Sequence, residues 1–198
     1  ASDHFPDAVL TYDEKRGKYL LTYDWGTNTN TWESAHNGAA DADSGSAIAW
    51  ADSPLGPFTR DETPYISNNA LRGRLGRFKR LYAATVLPRK NDYISLALCD
   101  SGEYYAWGLA CLTSLDPQGE WSSPEMVLSV DRDGYHPPLL EFYPCFVVGD
   151  IVYAPATSVA KNRNYQCVFA AELEKAHIPL EWKILYDGSF WHSRPIEE

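Results

Sequence analysis

Three aromatic residues close three similar bends at nearly equal intervals, and this spacing restricts the folds open to the chain more than any other feature. Phe58 and Trp121 stand 63 positions apart, and Trp121 and Trp182 stand 61 apart. Each is preceded by the same order of signals. In the first stretch, runs rich in β-forming residues occupy 8–12, 18–25 and 46–51. A turn-like 13–17 separates the first two, a polar excursion over 26–45 separates the second and third, and a short outer strand is expected around 64–66. The second stretch repeats the order at 80–87, 92–99 and 107–113, and the third at 143–148, 151–156 and 166–171. Helical periodicity shows only weakly at 171–176, which reads as a short helical turn.

Near-equal intervals that each hold one strand–turn–strand–strand–bend unit imply tandem sheets of four antiparallel strands. Such sheets bury their apolar faces against one another around a central channel, which makes the expected fold all-β, a β-propeller. The units are expected near 1–68, 69–131 and 132–198 of a single propeller domain. Propellers are typically built of four to eight blades. Three units form an open arc with two uncovered faces, which is costly. The remaining blades are therefore expected from the rest of a longer chain or from another copy.

The formal net charge is −10. A surface so acidic repels phosphate backbones and anionic lipid, so neither nucleic acid nor membrane is expected as a partner. No apolar run approaches the roughly 18 residues that cross a bilayer. The chain opens on Ala1 and Ser2 without an apolar leader. Secretion or a periplasmic location is the expectation, with the leader removed; the cytoplasm is the alternative. Cys99, Cys111, Cys145 and Cys167 form no Cys-x-x-Cys pair, so a zinc site is not expected. They read as buried free thiols, with pairing between adjacent strands left to geometry. Seven Trp and 13 Tyr exceed what a core of this size requires. Rings left exposed would offer flat apolar faces of the kind on which sugars stack.

The bend Ala51-Asp52-Ser53-Pro54-Leu55-Gly56-Pro57-Phe58-Thr59 resembles the "small-x-Ser-Pro-Leu-Gly-Pro-aromatic" bend found after the third strand of blades in family 43 glycoside hydrolases and their relatives. Gly17-Lys18-Tyr19-Leu20-Leu21-Thr22-Tyr23 is similar to that family's "Gly-Lys-Tyr-Tyr-Leu-x-Tyr" strand, and Ser114–Trp121 is a variant of the same bend. The resemblance implies a five-bladed propeller, of which this chain covers about three blades. It also implies hydrolysis of glycosidic bonds in plant or algal oligosaccharides or polysaccharides. The bend itself is structural: Pro fixes φ and Gly permits positive φ, so the chain reverses tightly.

Glycosidic hydrolysis needs two carboxyl groups across the bond, one to protonate the leaving oxygen and one to activate water or attack. In the resemblance they stand at the channel-facing starts of innermost strands, and inversion is the implied course. Asp7, in His4-Phe5-Pro6-Asp7, opens the first such strand and is the candidate base, with the tuning Asp of the resemblance as the alternative match. Glu141, in Leu140-Glu141-Phe142-Tyr143-Pro144, opens the third and is the candidate acid; one extra residue separates it from Pro compared with the family's Glu-x-Pro. The second unit opens Arg77-Phe78-Lys79-Arg80 and carries no carboxylate where the resemblance expects a tuning Asp. A run of cations, Arg72, Arg74, Arg77, Lys79 and Arg80, stands there instead. It reads either as a solvated loop or as a place where one Arg meets an acidic sugar.

His4, His136 and His192 are candidate partners of sugar hydroxyls, as is Asp24, and Arg77 is a candidate substrate ligand. Trp25, Trp32 and Trp191 are candidate stacking platforms. No cofactor is expected. Relatives of this kind sometimes hold a structural calcium ion in the channel, but the chain has no Asp-x-Asp-x-Asp-Gly loop, and Asp41–Gly45 is too short a match to supply one. The expected partner is an oligosaccharide or polysaccharide substrate. Two rival readings are a noncatalytic carbohydrate-binding propeller, favoured by the missing middle carboxylate, and a protein-interaction propeller.

Overall fold

The computed structural model describes residues 8–26, 43–71, 73–75, 78–100, 108–129, 140–160 and 163–186. They form three antiparallel sheets, each from one continuous stretch of chain. The first contains β1 (Val9–Asp13), β2 (Lys18–Gly26), β3 (Ser44–Ala51), β4 (Thr59–Arg60) and β5 (Ile66–Ser67). The second contains β6 (Arg80–Pro88), β7 (Tyr93–Asp100), β8 (Gly108–Ser114) and β9 (Glu125–Ser129). The third contains β10 (Leu140–Phe142), β11 (Phe146–Val148), β12 (Ile151–Ala160), β13 (Arg163–Glu172) and β14 (Lys183–Tyr186). Strand order follows chain order, with β4 and β5 sharing the fourth place beside β3 and β10 and β11 sharing the first place beside β12. Three successive four-stranded blades result, so the all-β propeller expectation holds as a partial ring.

The middle sheet is apolar on both faces because it is covered on both. Along β7, Tyr93, Ala97 and Cys99 join a core with Leu20, Ile48, Trp50 and Ile66 of the first sheet. The alternate residues Ile94, Leu96 and Leu98 join a second core with Val152, Ala154, Cys167 and Phe169 of the third. Successive side chains of a strand point to opposite faces. A strand covered on both sides therefore reads as a continuous apolar run, as 92–99 does.

At one end the three sheets are laced by polar contacts. Asp13, fully buried at the end of β1, accepts the Tyr93 phenol proton at 2.9 Å and the Lys15 amide at 3.1 Å. Arg16 reaches Asp116 at 2.6 Å and lies over the Trp50 ring. Arg89, after β6, holds Asp92 through two bonds of 2.8 and 2.5 Å and donates to the Glu174 carbonyl and to His177 Nδ1 beyond β13. Each sheet also ends in an anchored aromatic. Phe58 packs against Tyr23, Ala47 and Ala49 after a bend in which Gly56 has φ +79°. The Trp121 indole donates to the Pro117 carbonyl at 3.2 Å, and the Trp182 indole to that of Ala176 at 2.8 Å.

The outer faces of the first and third sheets are also apolar. On the first, Leu10, Tyr12, Tyr19, Leu21, Tyr23 and Trp25 lie on one side, with Tyr12 and Tyr19 rings 5.0 Å apart. On the third, exposed Phe146 and Val148 neighbour Tyr153, Ile151 and Val168, with the Phe146 and Tyr153 rings stacked at 5.4 Å.

Some local expectations are corrected. Of the strand expected at 143–148 only β11 over 146–148 forms; β10 precedes it at 140–142, and Pro144, which cannot donate to the ladder, lies in the gap between them. The outer strand near 64–66 is two short pieces, and the fourth strands β9 and β14 carry too mixed a pattern to stand out. The helical signal at 171–176 is a single 3₁₀ turn over Leu173–Lys175.

Glycines at equivalent places let the fourth strands approach. A Cβ on Gly45 would stand 2.0 Å from the Ile66 carbonyl oxygen, and one on Gly108 would stand 2.3 Å from that of Leu128. We expect Gly108→Ala to lower stability by about 1–3 kcal/mol in urea unfolding, the usual cost of overpacking. All four cysteines are free and buried. Burial pushes the Cys111 thiol up to about 12 and raises that of Cys145. An aromatic disulfide reagent should therefore titrate no thiol in the native protein and four after unfolding.

Candidate functional site

The end opposite this lacing is where β1, β6 and β10 begin. Register fixes the geometry: Gly26 pairs with Ser44 and Gly45 with Ser67, while Arg80 pairs with Asp100 and Leu140 with Ser158. Asn68, just after β5, ties the first sheet to the second there. Its side-chain amide donates to the Leu81 carbonyl and its Oδ1 accepts the Leu81 amide, both at 2.8 Å. A side chain thus supplies the paired bonds of a strand neighbour to the edge of β6.

Two residues further along, β6 carries a bulge. Tyr82 pairs with Leu98 and Thr85 with Leu96, so Ala83 and Ala84 face only Ala97. Ala83 has φ +44°, a left-handed conformation that costs a residue with a Cβ. The extra residue leaves ladder amides without strand partners, and the first sheet supplies acceptors. The Ala83 amide donates to Asp24 Oδ1 at 2.6 Å, and the Ala84 amide to Ser46 Oγ at 3.2 Å. Close by, the Tyr65 hydroxyl lies 3.1 Å from Ser95 Oγ. Burial raises the Tyr65 phenol well above its ordinary value, and the nearby charge of Asp24 adds to the shift. On the other side, Thr85 Oγ1 donates to the Cys145 carbonyl at 3.1 Å, in the gap between β10 and β11. Both neighbouring sheets therefore fix the middle of β6.

The candidate residues fare differently. Asp24 joins the bulge of the next blade. Trp25, its neighbour, lies on the opposite side of β2, half-buried against Tyr23, Ala47 and Ala49. Glu141 lies within β10, where its main chain pairs with Thr157. Asp7, His4, Trp32, Arg77, His136, Trp191 and His192 lie outside the described residues. Among the described residues no group of three or more His, Cys, Asp or Glu is arranged to hold a metal ion. Asp43, the described acid of the Asp41–Gly45 stretch, accepts from Ser67 Oγ and from the amides of Ser44 and Asn69. Those bonds cap the turn after β5, so its oxygens serve the fold. Sequence reading missed Asn68, Ser46 and Tyr65, since nothing in a Ser, Asn or Tyr inside a strand-like stretch marks a contact to another blade.

No family model matches the sequence, and no curated protein matches it. Solved structures do share the fold. A thermostable family-43 glycoside hydrolase superposes with a TM-score of 0.57 at 16% identity, over 97% of this chain and 55% of that one. An endo-arabinase from Bacteroides thetaiotaomicron gives 0.60 at 13%, over 94% and 64%. The GH32 β-fructofuranosidase of Bombyx mori gives 0.57 at 13%, over 93% and 37%. The chain thus has a glycoside-hydrolase-like fold and spans between about a third and two thirds of the length of these proteins.

If Asp24 anchors the bulge, Asp24→Ala should cost about 1–3 kcal/mol, since it leaves a buried amide without its acceptor. Asp24→Asn keeps a carbonyl oxygen there and should cost less. Paired thermal and urea unfolding of the two variants measures the difference.

Proposed function

We propose that this chain is part of a propeller-type glycoside hydrolase that cleaves plant or algal oligosaccharides or polysaccharides with inversion. Glu141, within β10, serves as general acid, and Asp7, two residues before β1 in the chain, as base. The observation that carries the reading is the shared end of β1, β6 and β10, joined to a fold common to glycoside hydrolases of several families. Residues far apart in the chain, preceding or opening those strands, would meet at the channel mouth. In an inverting site the two carboxyl groups stand about 6.5–9.5 Å apart to admit water. The domain is one propeller with units near 1–68, 69–131 and 132–198. Its apolar outer faces are completed by further blades from a longer chain or another copy. A polymeric substrate of this kind favours action outside the cell or in the periplasm.

A second reading, a noncatalytic carbohydrate-binding propeller, draws on one observation: β6 opens with Arg80 where a carboxylate would tune the acid. Turnover of nitrophenyl glycosides and of arabinan by protein with all its blades separates the two. Glu141→Gln should reduce kcat by about 10²–10⁴-fold, the usual contribution of a positioned acid. Undiminished turnover would end the assignment of Glu141, and binding by the wild type without hydrolysis would favour the second reading.

A further inference from the structure

We infer that Thr85 is a positioning residue for β10, the strand that contains Glu141: its hydroxyl, on the middle blade, fixes the main chain just beyond the end of β10. The inference rests on reading Glu141 as the general acid and goes further in naming what holds its strand in place.

Three observations carry it. The first is how little holds β10 within its own sheet. It is three residues long and stands first in the sheet, with β12 as its one strand partner among the described residues. Beyond it the ladder is interrupted. Phe142 pairs with Ala156 and Phe146 with Tyr153, so Tyr143, Pro144 and Cys145 face only Ala154 and Pro155. The Tyr143 amide donates to the Pro155 carbonyl at 3.0 Å, and Pro155, having no N–H, cannot return the bond. Pro144 has no N–H to donate either. The ladder by itself therefore specifies this break loosely.

The second is the donor. Thr85 Oγ1 donates to the Cys145 carbonyl at 3.1 Å, and both residues are fully buried. Water does not compete for a contact between two packed sheets, and removing one partner leaves the other with its full desolvation cost. The neighbouring blade thus supplies a fixed point that the interrupted ladder lacks.

The third is the rigidity of the mount. Thr85 directly follows the β6 bulge, whose Ala83 and Ala84 amides are held by Asp24 and Ser46 of the first blade. Past the bulge, Val86 faces the first sheet and Leu87 the third. Side chains of a strand alternate, so Thr85 shares the side of Leu87, and the bulge decides that its hydroxyl meets the third sheet. On that sheet Phe142 is buried against Phe169, with ring centroids 5.6 Å apart. Fixed points at Phe142 and Cys145, on either side of Pro144, set where the main chain of β10 stands relative to β6.

The test compares Thr85→Val, which removes the hydroxyl and keeps the branched shape, with Thr85→Ser, which keeps the hydroxyl. Both are made in the protein with all its blades. Amide hydrogen exchange is followed by mass spectrometry, and turnover is measured on arabinan and nitrophenyl glycosides. In Thr85→Val we expect the amides of 140–143 to exchange about tenfold faster or more, as follows from losing a buried bond, with β7 and β8 affected less. Turnover should show kcat lower by about tenfold or more and KM nearly unchanged, the pattern of a displaced reacting group. Thr85→Ser should return both quantities toward wild type. Four results would each overturn the inference: unchanged exchange over 140–143 in Thr85→Val, equal acceleration over β7 and β8, no recovery in Thr85→Ser, or undiminished kcat despite faster exchange. A wild type that hydrolyses none of these substrates counts against the hydrolase reading instead, and the exchange comparison then decides the role of Thr85 by itself.

Discussion

The structure depends on the middle sheet having two buried faces. Its strands present alternate residues to two separate cores, one shared with each neighbour, and neither neighbour can be removed without uncovering a row of Leu, Ile, Val and Ala. Burial of apolar area at roughly 25 cal/mol per Å² is the main stabilising term in such a stack. Directional contacts then fix which residue lies opposite which. The Asp13, Arg16 and Arg89 contacts do this at one end, and the Asn68, Asp24 and Ser46 contacts do it at the other.

The bulge in β6 shows how the two requirements interact. Leu81 faces the first sheet, Tyr82 and Ala83 the third, and Ala84 the first again. An extra residue reverses the in–out parity of a strand, and here the part of β6 before Ala83 is out of phase with the part after it. Arg80 and Tyr82 thereby lie on the face turned to the third sheet. The buried amides of Ala83 and Ala84 at the bulge are satisfied by Asp24 and Ser46 of the preceding blade. One blade thus sets the direction of the residues at the mouth of the next.

The two outer faces continue the same logic past the described sheets. Leu10, Tyr12 and Tyr19 on one side and Phe146, Val148 and Tyr153 on the other would suit an interior position. They contrast with the polar outer side that closes a self-contained stack. The chain spans 55% and 64% of the length of two solved structures that share its fold.

The sequence by itself determined the all-β class and the position of most strands. Alternation, turn residues and the spacing of Phe58, Trp121 and Trp182 are local signals, and local signals survive in a string of letters. It also placed the cysteines correctly as buried thiols, since they fall within apolar runs. Only the tertiary structure decided that Asp24 would serve the next blade and that Trp25 would turn to the opposite side. The same holds for Asn68 acting as a strand partner to Leu81 and for the bulge that orients Arg80. Those outcomes follow from contacts between residues 13 to 59 positions apart, whose partners are chosen by how two sheets stack and by which amides the stacking leaves without a ladder. No property of a single residue type encodes that choice.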